Sequence, residues 1–268
     1  MPAASLSAPG YAYTELGPQH HCASAELASE CALALSYNEL NHTVMMVSPD
    51  DLDDFAIGFS LSAGLVDSID DIYDIQLCGT DSAREAQLRI SSRTFWRLRQ
   101  QRRQLTGNSS CGLCGVEALE QALPQLKALT PSALPPASHL HALRERIAAA
   151  QQGARNSGAL HAALFVDARG EIVLCREDIG RHNALDKLIG ALARSEQAAN
   201  TGFAVVTSRC SLELLHKAVR CGIATLVSLS APTALTVDWA RRHHLNLIHL
   251  PHHSAPRVYS PAPEESRA

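Results

Sequence analysis

The chain has 268 residues, of which 46% are hydrophobic and 19% are charged, and its formal net charge is −4. This length allows one large core or two modest ones, whereas the slightly acidic charge excludes a general affinity for nucleic acid, and no apolar run approaches the roughly 20 residues of a membrane helix. Because residues 1–19 show no basic start followed by an apolar block, we expect a cytoplasmic protein whose eight cysteines stay reduced.

The first part of the chain predicts a tail followed by a small α+β domain. Residues 1–25 are rich in Ala, Ser, Pro and Gly, which predicts a flexible tail. The segment 26–105 is the expected N-terminal domain, with a basic helix at 94–104. It contains four strand-like runs, at 33–37, 43–47, 72–77 and 86–90, with a hairpin turn at 38–41.

One further helix of this domain has a strong start signal. Ser48 is the expected N-cap, Pro49 is the expected first helical residue, and the acidic residues that follow occupy the first turn. Gly64 predicts the end of the helix, because glycine commonly follows the last helical turn. These features predict a helix between the second and third strands.

A pair of thiols lies in the segment 106–137, which we expect to form a loop and a proline-rich linker. Cys111 and Cys114 are three positions apart and are flanked by glycines. Upstream of them lies a cationic run formed by Arg97, Arg99, Arg102 and Arg103. Positive charge favours the reactive thiolate, and glycines leave the backbone free to adopt unusual conformations. The pattern predicts an exposed, activated thiol suited to sulfur transfer or redox chemistry.

The remaining cysteines do not form a recognisable metal site. Cys31 and Cys175 lie in apolar strand-like runs, and Cys210 and Cys221 flank a helix-like run. We expect all four to pack as small hydrophobic side chains. Only one C-x-x-C exists, and no second pair stands at zinc-ribbon spacing. We therefore expect no structural metal.

The segment 138–268 is the expected C-terminal domain, in which strand-like and helix-like runs alternate. The expected strands lie at 160–166, 172–176, 203–207, 225–228 and 246–250. The expected helices lie at 139–151, 183–194, 211–221 and 233–242. The tail after Pro251 is expected to be irregular. Repeated β-α-β order predicts a layered α/β domain with a largely parallel sheet.

Polar residues and glycines cluster at three points where an expected strand leads into a helix, namely 177–183, 207–211 and 228–233. Ligands of open α/β sheets bind beyond the carboxyl ends of strands, and helix N-termini there attract anions. The three groups predict an anion-binding edge, although each is also compatible with an ordinary helix cap and surface charge. The candidate ligand-binding residues are Asp178, Gly180, Arg181, His182, Asn183, Asp186, Lys187, Ser208, Arg209, Ser230 and Thr233.

The surroundings of His161 argue against one alternative chemistry. Zinc deaminases combine an H-x-E motif with a later P-C-x-x-C motif. Here Ala163 stands where the glutamate would be, and Cys111 and Cys114 precede His161 instead of following it. The deaminase reaction is therefore not supported, and His161 is more simply interpreted as a histidine of the core or its rim.

Four motifs follow one another in a specific order. They are the segments 45–60, 111–115 and 177–188, and the combination of Ser208-Arg209 with 230–233. The C-x-x-C alone is weak evidence for any one family, whereas the stretch from Glu177 to Leu188 is highly specific evidence. Together these motifs resemble the FdhD/NarQ family of formate dehydrogenase accessory sulfurtransferases, and the resemblance extends from Glu30 to Tyr259.

This resemblance implies a fold, an assembly and an activity. The chain would form a homodimer, and its C-terminal part would be a three-layer α/β domain similar to cytidine deaminase without the zinc site. Such proteins take sulfur from a cysteine desulfurase as a cysteine persulfide. They pass it to the bis-molybdopterin guanine dinucleotide cofactor of a molybdenum or tungsten formate dehydrogenase before the cofactor enters the apoenzyme. GDP would serve as an analogue of the bound cofactor.

The resemblance also assigns roles to residues. Cys111 would carry the persulfide, Cys114 would relay the sulfur or release it by forming a disulfide, and the strand-end groups would hold the cofactor. The family usually has a basic stretch shortly before its final tyrosine. Here that place is taken by Leu250, Pro251, His252, His253, Ser254 and Ala255. Only Arg257 is a permanent cation in this region, so the two histidines would substitute in part.

Two other functions stay open at this point. A non-catalytic chaperone would bind the cofactor and deliver it without carrying sulfur, so it would tolerate the loss of Cys111. A thioredoxin-like oxidoreductase would place its C-x-x-C at a helix start after an early strand. Here the pair follows a basic helix and precedes a proline linker, which disfavours the oxidoreductase.

Overall fold

The structure, a computed structural model, describes residues 10–16, 21–108 and 125–263, and only the backbone of residues 101–108, 155 and 156. The expected flexible tail contains two antiparallel strands, β1 (Tyr11–Glu15) and β2 (His21–Ala25). These two strands were not predicted, and the expectation of a flexible tail at residues 1–25 stays a prediction. Every residue of β1 is exposed, so no alternation of apolar and polar side chains indicates the strand in the sequence.

A four-stranded sheet forms the centre of the N-terminal part. Its strands are β3 (Cys31–Tyr37), β4 (Leu40–Val47), β5 (Ile72–Gly79) and β6 (Ala83–Ile90), in the order β4-β3-β6-β5. β3 and β4 form the predicted hairpin. Both turn residues, Asn38 and Glu39, have positive φ angles, as a tight hairpin turn requires. All four predicted strands of this part are therefore confirmed.

Two α-helices, α1 (Leu52–Ser62) and α2 (Ser92–Asn108), belong to this part, and a 3-10 helix at Ile69–Asp71 precedes β5. Phe55 of α1 and Leu98 of α2 pack on the sheet in one apolar cluster with buried strand residues. This shared cluster is the core of the N-terminal part, and the basic helix predicted at 94–104 is confirmed as α2.

The start of α1 differs from the prediction. The helix begins at Leu52 instead of Pro49, after Asp51, which has a left-handed φ of 53°. The Oγ of Ser48, the expected cap, instead accepts a hydrogen bond from the backbone N–H of Ile179 at 3.1 Å. The serine is thus used for a distant contact that the local sequence could not show. The predicted end is confirmed, because Gly64 has a φ of 71° just after the helix.

A six-stranded sheet forms the centre of the C-terminal part. Its strands are β7 (His161–Val166), β8 (Ile172–Asp178), β9 (Phe203–Val206), β10 (Thr225–Ser228), β11 (Asn246–His249) and β12 (Arg257–Ser260), in the order β12-β11-β10-β9-β7-β8. β12 occupies part of the tail that was expected to be irregular. As an edge strand paired on one side, it tolerates the prolines around it.

The expected largely parallel sheet is mixed. Only the neighbouring pairs β9–β10 and β10–β11 are parallel, whereas β7 runs antiparallel to both of its neighbours and β12 runs antiparallel to β11. β7 and β8 are joined by a short turn in which the Gly170 N–H donates to the Asp167 carbonyl at 3.0 Å. Such a short connection allows only antiparallel pairing.

Helices lie on both faces of this sheet. They are α3 (Leu143–Ala150), α4 (Ala154–Ser157), α5 (Arg181–Arg194), α6 (Leu212–Arg220) and α7 (Ala234–Arg242), with a 3-10 helix at Ala137–Leu140. The single helix expected at 139–151 is interrupted before α3 at Ala142, whose φ of 47° is not helical. The last three α-helices follow the predicted order.

Two apolar clusters make the sheet the middle of three layers. Leu185 of α5, Leu214 of α6 and Trp239 of α7 pack on one face of the sheet. Leu143 and Ile147 of α3 pack on the other face. The protein is therefore α/β in two parts, a smaller N-terminal α+β part and a three-layer C-terminal part, as predicted. The similarity of the second part to cytidine deaminase and the expected domain limits stay predictions.

The two parts meet where α1 crosses α5. A Cβ on Gly58 would lie 1.7 Å from the carbonyl oxygen of Asp186, and a Cβ on Gly190 would lie 1.9 Å from the carbonyl oxygen of Asp54. The two backbones therefore touch at positions where only glycine fits. The buried Asp54 carboxylate also accepts a hydrogen bond from Arg194 of α5 at 3.0 Å, which adds a polar contact to the crossing.

We predict that Gly58→Ala or Gly190→Ala lowers the free energy of unfolding by about 3 kcal/mol, because the added methyl group must push the two helices apart. Urea denaturation measures the loss. Gly222→Ala is the control, since its φ is 73° and a Cβ there meets no atom within 4 Å. It should cost only about 1–2 kcal/mol, from backbone strain alone. Equal losses in all three variants would contradict the tight crossing.

Candidate functional site

The carboxyl ends of β8, β9, β10 and β11 meet at one edge of the six-stranded sheet, because these four strands share one direction. The loops that follow them are hydrogen-bonded to the adjacent strand. Leu229 N–H donates to Val206 at 3.2 Å, and Leu250 N–H donates to Ser228 at 2.9 Å. The structure thus brings the three predicted polar groups together. The strand-end edge is defined here as the segments 178–182, 207–211, 228–233 and 249–253.

Cationic side chains surround the strand-end edge. His161, at the start of β7, is half-buried, and burial lowers its pKa, as do the positive charges of Arg181 and Arg209. Burial likewise lowers the pKa of His249 at the end of β11, with a further contribution from Arg257. Because the local field already disfavours additional positive charge, the same field favours a bound anion.

Two buried polar atoms at this edge, Arg181 Nε and His249 Nδ1, have no hydrogen-bond partner among the residues that the structure describes. Buried polar groups are normally paired, and an unpaired one costs about 1–3 kcal/mol. An acceptor atom of a ligand, such as a phosphate oxygen, would satisfy the arginine. His249 was missed in the sequence analysis because it directly follows two apolar residues, Leu247 and Ile248, at the end of a short buried strand.

The three predicted hydroxyl residues differ in their surroundings. Ser208 is buried, and its Oγ donates to the carbonyl oxygen of Arg209 at 3.3 Å. Thr233 is the N-cap of α7 and shares a capping box with Thr236. Ser230 is partly exposed. Two of the three hydroxyls therefore already have partners within the protein, and contacts of all three with a ligand stay predictions.

Asp178, Asn183 and Lys187 face inward and join the two parts of the chain. Lys187 Nζ lies 2.8 Å from Asp178 Oδ2, and both side chains have 0% exposure. Asp178 also accepts from the Ser48 backbone N–H and from Asn183 Nδ2, both at 2.9 Å. Lys187 donates to the carbonyl oxygen of Ser48 at 3.0 Å. We predicted that these three residues contact the cofactor, whereas in the structure their polar groups bond within the protein.

Asp186 has a similar position. Its carboxylate accepts from Lys217 Nζ at 2.8 Å and from Ser62 Oγ at 2.6 Å, so it links α5 to α6 and α1. Burial raises the pKa of Asp186, and the charge of Lys217 opposes this effect. Its carboxylate thus links helices, and the predicted contact of Asp186 with the cofactor stays a prediction.

The start of α5 is the part of this motif that lies at the strand-end edge. Gly180 is the N-cap residue, and its N–H donates to Asp178 at 2.8 Å. His182 is half-buried, with Nε2 2.7 Å from Glu213 Oε2. Burial lowers the pKa of His182, while Glu213 acts in the opposite direction. Arg181 and His182 are thus the charged or titratable side chains of this motif that remain partly accessible at the edge.

Arg144 of α3 joins the last two loops of the strand-end edge. Its guanidinium donates to the carbonyl oxygen of Leu229 at 2.9 Å, to that of Pro251 at 3.3 Å, and to that of Leu250. It also lies 3.2 Å from Nε2 of His252. A cation therefore lies against a loop that has neither lysine nor arginine of its own. The sequence analysis missed Arg144, because a helical run does not show which strand ends it will face.

Several predicted residues face solvent at this edge, namely Arg209, His252, His253, Ser254 and Ala255. Leu250 is instead buried, and Pro251 is partly exposed. Exposed guanidinium and imidazole groups can meet an anionic ligand without rearrangement of the fold. Their contacts with a ligand stay predictions.

The cysteines of the described core are poor nucleophiles. Cys31 and Cys210 are buried, as predicted, whereas Cys175 and Cys221 are partly exposed. Burial raises the pKa of Cys210 to about 11, and it raises those of Cys175 and Cys221 to about 12. Because the thiolate is the reactive form, these sites are unsuited to sulfur transfer.

The predicted reactive pair, Cys111 and Cys114, lies outside the described residues. Within the described ranges, no group of three or more His, Cys, Asp or Glu side chains could hold a metal ion. The expectation of no structural metal stays a prediction, since the paired thiols are not among these residues. None of the described helices has the length and apolar character that crossing a bilayer requires.

Comparison with known proteins places the chain among relatives. Residues 28–265 match the sequence profile of the FdhD/NarQ family. Three similar proteins are each called "Sulfur carrier protein FdhD". The protein from Cupriavidus necator is 42% identical over 83% of this chain and 77% of its own length. The protein from Bordetella bronchiseptica is 39% identical over 88% and 86%, and that from Xanthomonas euvesicatoria is 44% identical over 83% and 79%.

A solved structure is also similar. The crystal structure of a candidate formate dehydrogenase accessory protein from Desulfotalea psychrophila has a TM-score of 0.72 to this chain and covers 93% of it and 95% of its own length. The two sequences are 17% identical, so this likeness supports the fold alone.

We predict that Lys187→Met lowers the free energy of unfolding by about 3–5 kcal/mol, because it leaves the Asp178 carboxylate buried without its counter-ion. The double variant Asp178→Asn/Lys187→Met should regain part of the loss. Arg84→Met is the control, since that arginine pairs with Asp81, whose side chain is 94% exposed, and exposed pairs contribute little. Chemical denaturation of the wild type, both single variants and the double variant measures the free energy of unfolding. A loss for Lys187→Met that is no larger than the loss for the control would contradict the role of the pair.

Proposed function

The chain belongs to the FdhD/NarQ family, and from this premise we propose that it carries sulfur for the maturation of a formate dehydrogenase. The C-x-x-C pair inside the matched segment carries this proposal, supported by relatives that are named sulfur carriers. A cysteine desulfurase would donate the sulfur, and a formate dehydrogenase apoenzyme would be the client. The protein would act as a cytoplasmic homodimer, with bis-molybdopterin guanine dinucleotide as the substrate that receives the sulfur.

Loading is a thiol–persulfide exchange. The Cys111 thiolate attacks the outer sulfur of the donor persulfide and forms a new S–S bond, while the S–S bond of the donor breaks. The donor leaves as a thiolate and takes up the proton that Cys111 lost, so the exchange needs no external oxidant. The cationic run before Cys111 favours its thiolate form.

Delivery as sulfide requires two electrons, because the outer sulfur of a persulfide is more oxidised than sulfide. The Cys114 thiolate supplies them when it attacks the inner sulfur. A Cys111–Cys114 disulfide forms, and the outer sulfur leaves as hydrosulfide toward the substrate. A cellular dithiol then reduces the disulfide and restores the carrier. Relay of the outer sulfur from Cys111 to Cys114 is the other route that the pair allows.

The strand-end edge is the best supported place for the substrate. Cationic and polar side chains converge there, and Arg181 Nε is a buried donor that lacks a partner within the described chain. The pyrophosphate of a guanine dinucleotide carries negative charge that this edge would stabilise. GDP contains the same guanosine and diphosphate groups and is therefore the probe of choice.

We predict that incubation with a cysteine desulfurase and cysteine adds one or more sulfur atoms to the intact protein and that Cys111→Ala abolishes the main adduct. Attack on the donor persulfide requires a thiolate, and this variant lacks the thiol at position 111. Intact-protein mass spectrometry before and after reduction measures the adduct, and Cys78→Ala, which removes an exposed cysteine outside the pair, is the control. An unchanged adduct in Cys111→Ala would contradict the assignment of Cys111 as the main sulfur acceptor. Full client maturation by that variant would favour the non-catalytic chaperone.

We predict that the full chain binds GDP more tightly than ADP and that Arg144→Gln weakens GDP binding about tenfold, since charge-assisted hydrogen bonds that fix two loops are lost. Arg146→Gln is a matched control. It lies on the same helix, and its guanidinium donates to the carbonyl oxygens of His139 and Gly170, away from the strand-end edge.

Titration calorimetry on the wild type and both variants gives the dissociation constants. Similar weakening by both variants would mean that Arg144 acts only through general stability. Equal affinity of the wild type for GDP and ADP would count against a guanine-selective site.

A further inference from the structure

Helix α2 has an unusual composition for this chain. Its 17 residues, Ser92–Asn108, include five arginines and no aspartate or glutamate, although the whole chain has a net charge of −4. The arginines are Arg93, Arg97, Arg99, Arg102 and Arg103. Folding of the N-terminal core requires only the apolar side of this helix, so the concentration of positive charge needs another explanation.

One side of α2 is fixed to the N-terminal part. Leu98 and Thr94 are 5% and 1% exposed and pack inward. Arg97 forms an ion pair with Asp67, and it also donates to the carbonyl oxygen of Leu65 at 3.3 Å. These contacts fix the rotation of the helix about its axis, and they therefore determine which residues face outward.

The outward side combines an aromatic ring with cations. Trp96 is 57% exposed, and the Arg99 guanidinium lies 5.1 Å from its ring centre and 5.9 Å from that of Phe95. Arg93 is exposed on the preceding turn. The α2 face is defined here as Arg93, Trp96 and Arg99.

Tryptophan and arginine are the residues that most often dominate protein–protein binding energy. The stacking of Arg99 on Trp96 already restricts both side chains before a partner arrives, which reduces the entropy lost on association. A solvent-exposed tryptophan within a cationic surface is therefore suited to a partner that presents acidic groups around an apolar contact.

We propose that the α2 face is the docking surface for the sulfur donor, through an acidic patch on the donor's surface. This inference rests on the proposed sulfur-carrier function. α2 ends at Asn108, three positions before Cys111, so a protein held on this helix is close in the chain to the sulfur acceptor. The strand-end edge, where the substrate is proposed to bind, belongs to the other part of the chain. The acidic net charge of the protein argues against nucleic acid as the occupant.

The test is the affinity of the full-length chain for a cysteine desulfurase, measured by biolayer interferometry at low and moderate salt. Arg99→Glu and Trp96→Ala should each weaken binding about tenfold or more, and the effect of Arg99→Glu should shrink as salt rises. Arg242→Glu and Leu235→Ala are matched controls on exposed positions of α7, and they should change the affinity less than about twofold. GDP binding should stay unchanged in all four variants, which also shows that they fold.

The outcomes separate this inference from the function on which it rests. Normal desulfurase binding by both α2 variants overturns the docking surface, even if sulfur loading proceeds. The docking surface is also overturned if the α2 variants weaken only the binding of the apoenzyme, of RNA or of a second copy of the chain, the last measured by sedimentation. Absence of sulfur loading on the wild-type chain would instead overturn the sulfur-carrier function itself.

Discussion

The buried ion pair between Asp178 and Lys187 connects the two parts of the chain. Transfer of two charges to a site with 0% exposure is costly. The structure offsets this cost with hydrogen bonds to Asp178 from Ser48, Gly180 and Asn183. The hydrogen bonds of the pair are complete only when the N-terminal part supplies Ser48. The strand-end edge and the N-terminal part therefore form one structural unit.

This constraint explains why the segment from Glu177 to Leu188 is so specific in sequence. The segment contains the buried Asp178–Lys187 pair and the first turn of α5 at the strand-end edge, and the carbonyl oxygen of its Asp186 lies against Gly58 of α1. Most polar residues of the segment keep the two parts in register, and Arg181 and His182 are left partly accessible to a ligand. Most polar contacts of the motif are therefore made between the two parts of the chain, and ligand binding by its residues stays a prediction.

Most of the order of strands and helices from β3 to β11 could be predicted from the sequence, because apolar periodicity and glycine positions determine it locally, whereas β1, β2, β12 and the short α4 were missed. The convergence of three polar groups at one edge could be predicted too, since successive β-α-β units place strand ends together. The direction in which polar side chains point could not. Charged residues are seldom fully buried, so Asp178 and Lys187 resemble ligand contacts, and the Ser48 partner of Asp178 lies 130 positions away. Arg144 gave no signal in the sequence, because most of its partners are backbone carbonyl oxygens.

The proposed carrier combines a nucleophilic thiol pair with a cationic edge that would receive a guanine dinucleotide. Its most direct test is a chase experiment in which the protein-bound persulfide contains radioactive sulfur and is mixed with substrate cofactor and apoenzyme. The label should leave the protein and appear in the cofactor of the client in proportion to the formate dehydrogenase activity gained. Activity that appears while the label stays on the protein would contradict the account.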